Sequence, residues 1–157
     1  MLQKLTPYRL YILFASTAAV AGLVALLGLL GENAAVTVTC VALYLALGAA
    51  QGLFLSATHP EDYAPWYGPM FATLLASLSP VLVGLILGIS PELWEGWLLR
   101  LHHPAVFLLA RDRIRGGDLG TMDYVFFFLL PAILVWLGVL IQDKVRKLLR
   151  RDGVNRL

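Results

Sequence analysis

Pro69–Pro91 reads PMFATLLASLSPVLVGLILGISP and carries no charged side chain. A helix over this stretch is about 35 Å long, enough to cross a hydrocarbon core about 30 Å thick. Every fourth residue along it is small or a helix-bender: Ala72, Ala76, Pro80, Gly84 and Gly88. Residues four apart stack on one helix face, so the spacing predicts a groove along the span. Lipid tails are as apolar as leucine, and helices in a bilayer associate by close packing over small residues. The stretch therefore predicts the central helix of a small membrane bundle, spanning about 69–90.

Three further apolar runs, at about 10–31, 34–58 and 122–142, are each long enough to cross, the last of them free of charge from Tyr124 to Gln142. The expected fold is all-α: a polytopic membrane protein with four transmembrane helices. Of the 157 residues 59% are hydrophobic and only 14% charged, against about a quarter charged in a soluble domain. The missing charge is missing in blocks, so residues 1–157 read as a single membrane-embedded helical domain. A basic juxtamembrane tail at 143–157 ends it.

The first run contains Ala19-Val20-Ala21, which mimics a leader-cleavage site. The apolar run continues through Gly22 to Leu30, beyond the roughly 7–15 residues of a leader's apolar core. A retained first helix is expected. Glu32 and Asn33 make a tight turn, and the second helix carries its own close-packing pair, Gly48 and Gly52, with Ala42, Ala46 and Ala50 on a neighbouring row. Gln51, the strongly polar side chain of this span, is expected to hydrogen-bond another helix. In the third helix Pro80 removes a backbone donor, and Thr73, Ser77 and Ser79 are placed to compensate. Tyr63, Trp66 and Tyr67 in the preceding loop suit headgroup depth. Pro131 is expected to bend the fourth helix.

Ser90-Pro91-Glu92 is a helix start. Trp94, Trp97, Leu98 and Leu101 then recur at helical spacing among Glu92, Glu95, Arg100, His102 and His103. That pattern predicts a short amphipathic helix lying in the interface at about 91–103. Residues 105–110 are apolar but too short to cross. A polar stretch follows, with Arg111, Asp112, Arg113, Arg115 and Asp118, and Thr121 and Asp123 open the last span.

Several function classes fall away. One cysteine, Cys40, cannot run thiol–disulfide chemistry, which needs a pair. His59, His102 and His103 all lie outside the spans, so neither a bis-histidine haem nor an intramembrane metal site is expected, and no cofactor is implied. The spans carry no ionisable acid, base or histidine of the kind that ion-coupled transporters place in the membrane. Lys144, Arg146, Lys147, Arg150 and Arg151 read as anionic-lipid contacts, and nucleic-acid binding is not expected. Counting Lys and Arg, the two tails hold eight and the opposite side four. Both termini are accordingly expected in the cytoplasm, with the chain in the plasma membrane.

One cluster keeps a catalytic reading open. Arg111, Arg113 and Arg115 suit a phosphate, and Asp112, Asp118, Asp123, His102 and His103 could supply acid–base groups. The plainer reading, which we favour, is local salt bridges on a loop and a helix cap. The expected function is a non-catalytic accessory or assembly subunit, with membrane lipids and another membrane protein or a second copy as partners. The alternatives are an interfacial enzyme or binder for a phospholipid or lipid-linked substrate at the outer leaflet, and a small homo-oligomeric channel or carrier.

Overall fold

A computed structural model describes residues 7–30, 33–58, 67–89 and 120–154. The described chain is all-helical, with α1 Pro7–Gly28, α2 Ala34–Thr58, α3 Tyr67–Ile86 and α4 Thr121–Val154. Each contains a segment long and apolar enough to cross a membrane. The interfacial helix expected at 91–103 and the connection through 119 lie outside the described residues.

Local chemistry sets the boundaries. Pro7 opens α1, where a missing N–H is harmless. Asn33 caps α2, its Oδ1 accepting from the Val36 N–H at 2.9 Å. At the end of α3, Gly88 takes φ 63°, Ile89 N–H donates to Gly84 O at 2.9 Å, and Gly88 N–H reaches Leu85 O at 3.4 Å. This is a Schellman cap, which needs the left-handed residue that glycine supplies. Gly88, expected on the packing seam, instead ends the helix and is exposed. The fourth helix runs on through Pro131 and through the basic residues to Val154, well past the expected end at 142.

The four helices form a ring in which α1 contacts α2 and α3, and α4 contacts α2 and α3, while α2 and α3 barely touch across the diagonal. Helix α2 runs antiparallel to α1: Gln51, late in α2, meets Leu13 and Thr17, early in α1. It runs parallel to α4, since Tyr44 packs with Val135 while Leu53 shares a groove with Val145 and Leu149. The start of α1 and the end of α4 therefore lie at the same end of the bundle.

The tightest contact is between α2 and α4. A Cβ on Gly48 would collide with the Val135 carbonyl oxygen and lie 2.8 Å from its carbon, and one on Gly138 would collide with the Leu45 carbonyl oxygen and lie 3.1 Å from the Ala49 nitrogen. The two glycines thus face each other's backbones reciprocally, which lets Cα–H groups meet carbonyl oxygens. Around this crossing Val24, Val36, Cys40, Tyr44, Leu47 and Val135 form the core. Helix α3 contributes its Ala72, Thr73, Ala76, Ser77 and Gly84 face to the interior.

Backbone cannot move aside as a flexible side chain can, so Gly48→Ala and Gly138→Ala should each destabilise the purified protein by about 1–3 kcal/mol or more. Gly22→Ala, where nothing lies within 4 Å of the added carbon, should leave the midpoint unchanged. Thermal unfolding in one detergent checks all three.

Candidate functional site

The expected seam residues lie mostly in the interior. Ala72, Ala76, Gly84, Gly48 and Gly52 are buried within the bundle, and Pro80 lies inside α3. Pro80 has no N–H for the Ala76 carbonyl, and Ser79 Oγ donates to that oxygen at 2.8 Å. Thr73 Oγ1 likewise donates to Pro69 O at 2.8 Å. These hydroxyls satisfy backbone acceptors where no water is at hand.

Gln51 is 4% exposed and forms a polar contact between α2 and α1. Its Nε2 lies 3.0 Å from Leu13 O, 2.8 Å from Ser16 Oγ and 3.0 Å from Thr17 Oγ1. Both hydroxyls in turn donate to Leu13 O, at 3.0 and 2.8 Å. Oε1 finds no hydrogen-bond partner. The knot pins early α1 to late α2, as an interhelical hydrogen bond does.

Among the candidate headgroup or substrate contacts, Asp123 alone is described. It is buried, and its Oδ2 accepts from Gly120 N–H at 2.9 Å while its own N–H donates to Gly120 O at 2.9 Å. An acid at the third helical position reaching back to the capping residue is half of a capping box. Arg111, Asp112, Arg113, Arg115, Asp118, His102 and His103 lie outside the described residues.

The basic residues past 142 sit on a continuous helix rather than a separate tail. Lys147 Nζ pairs with Asp143 Oδ2 at 2.6 Å, one turn away. Lys144 is exposed, Arg146 is half-buried, and Arg150 and Arg151 continue the same helix. Arg146 borders a groove between α2 and α4 lined also by Ala49, Leu53, Ile141, Gln142 and Val145.

The outward faces differ in character. Helix α2 shows Ala42, Ala46 and Ala50 to the lipid side, and α1 shows Ala15, Ala18, Ala19 and Gly22. Helices α3 and α4 expose large side chains such as Phe71, Leu82, Leu85, Phe126, Leu129 and Ile133, while α1 and α2 add Leu23, Leu26, Val38 and Leu53 beside their small residues. Comparison with known families, curated proteins and solved structures finds no match.

Interhelical hydrogen bonds in a bilayer are worth about 0.6 kcal/mol on average and rarely more than about 2. Gln51→Leu should therefore lower unfolding stability by no more than that, and Ser16→Ala by less. Chemical unfolding in mixed micelles checks it. A loss above about 4 kcal/mol would mean that Gln51 does more than join α1 to α2.

Proposed function

We propose that this protein is a non-catalytic accessory subunit that packs against another membrane protein, or a second copy, through the outward alanine row of α2. The observation that carries the reading is the contrast between faces. Ala42, Ala46 and Ala50 lie outward at four-residue spacing, whereas α3 and α4 present bulky side chains outward. A flat row of small residues allows a neighbouring helix to approach closely along its length. Leucine and phenylalanine rows interlock readily with acyl chains and need no protein neighbour.

The small residues of α3 do not serve this purpose in our reading, because the bundle's own helices cover Ala72 and Ala76. The excess of Lys and Arg at the two tails favours cytoplasmic termini in a plasma membrane. The partner would then meet α2 from within the same bilayer, and the 59–66 connection would face the cytoplasm.

The test is affinity isolation of the tagged protein from its own cells in mild detergent, followed by native mass spectrometry. A stoichiometric second polypeptide, or a second copy, should accompany the wild-type chain. Ala46→Trp should reduce its recovery at least ten-fold, and Leu82→Ala on α3 should not. Because Ala46 is exposed, the substitution should leave the thermal midpoint in place. Recovery of the wild-type chain as a lone monomer would refute the proposal.

A further inference from the structure

We infer that the groove between the ends of α2 and α4 binds one anionic phospholipid, its acyl chain along Leu53, Ile141 and Val145 and its phosphate on Arg146. The groove measures about 580 Å³, within the roughly 300–1,000 Å³ of ordinary ligand sites. Its walls are apolar apart from Gln142 and Arg146, which sit one helical turn apart on α4.

The polar pair lies at the depth a phospholipid requires. Gly48 is level with Val135, and the two helices run parallel. Counting about 1.5 Å per residue from that crossing, Arg146 comes level with the end of α2 at Thr58, while Leu53 lies about 8 Å deeper. The charge is thus at headgroup height, with Ala49, Leu53 and Ile141 below it and Leu149 one turn beyond it.

Charge singles out the occupant. Lys147 is engaged by Asp143, but no carboxylate among the described residues pairs with the half-buried Arg146. A guanidinium matches phosphate oxygens through paired N–H donors. Exposed Lys144, on the same turn of α4 as Arg146, adds to a potential that attracts a net negative lipid and disfavours a choline headgroup. A transmembrane helix of a partner fits less well, because it would desolvate Arg146 without supplying a counter-charge.

This site does not depend on docking through the alanine row, and the two can fail separately. Delipidated full-length protein is mixed with phosphatidylglycerol or with phosphatidylcholine of identical chains, and bound lipid is counted by native mass spectrometry. One phosphatidylglycerol per chain should be retained, at least ten-fold in preference to phosphatidylcholine. Arg146→Gln should remove that preference, Arg146→Lys should restore only part of it, and Leu53→Trp should block the groove. Lys144→Gln should change retention by less than two-fold. Unfolding midpoints without lipid show whether each variant is folded. Equal retention of both lipids, undiminished retention by folded Arg146→Gln, or a polypeptide cross-linking into the groove from position 53 would overturn the inference.

Discussion

The reciprocal contact of Gly48 with the Val135 carbonyl and of Gly138 with the Leu45 carbonyl is the constraint on which the bundle depends. In water, burial of apolar surface would press helices together whatever their side chains. In a bilayer that drive is absent, and dispersion between closely apposed backbones takes its place. Two glycines are needed because the approach is mutual. Once α2 and α4 are locked side by side and parallel, α1 must return antiparallel along α2, and α3 fills the position between α1 and α4. The chain therefore passes across the diagonal between α2 and α3 instead of joining neighbours in sequence.

Inside this frame the described hydroxyls and the Gln51 amide nitrogen are occupied with the backbone and with one another, while Gln51 Oε1 is left without a partner. Ser79 serves the carbonyl that Pro80 leaves, Thr73 and Thr17 donate to carbonyls one turn back, and Gln51 binds the backbone and hydroxyls of α1. These contacts follow from the requirement that polar atoms be satisfied where water is missing. They hold the structure, and the surfaces we propose as functional lie at its edges: the outward alanine row of α2 and the groove beside Arg146.

The four spans were legible in the sequence because charge-free length is a direct consequence of bilayer thickness. The inward row Ala72, Ala76 and Gly84 could also be read, since spacing alone puts small residues on one face. The α2–α4 crossing could be only half read. Gly48 has Gly52 four residues on, but Gly138 stands between Leu134 and Gln142 at that spacing, and its partner is a carbonyl on another helix. Gly88 fitted the four-residue row, yet a glycine three residues before Pro91 is also a stop signal, and the stop won. The helical continuation past 142 had a signal of its own: Val145, Leu148 and Leu149 keep helical spacing while the hydropathy falls. Ring order left no trace in composition, because it depends on which faces meet. The polar cluster of residues 102–118 lies outside the described residues, so its reading still rests on the sequence.

The parallel pairing of α2 with α4 is the claim that both the proposed docking face and the proposed lipid groove inherit. Spin labels at exposed positions on the two helices test it without altering the crossing. With a label at Lys144 near the end of α4, a second at Thr58 should be close, because both lie a similar distance beyond the Gly48–Val135 contact. A second label at Val38 should be farther by roughly 25–30 Å along the bundle axis, at about 1.5 Å per residue. The reverse order of distances would make α2 and α4 antiparallel, and equal distances would remove the crossing altogether.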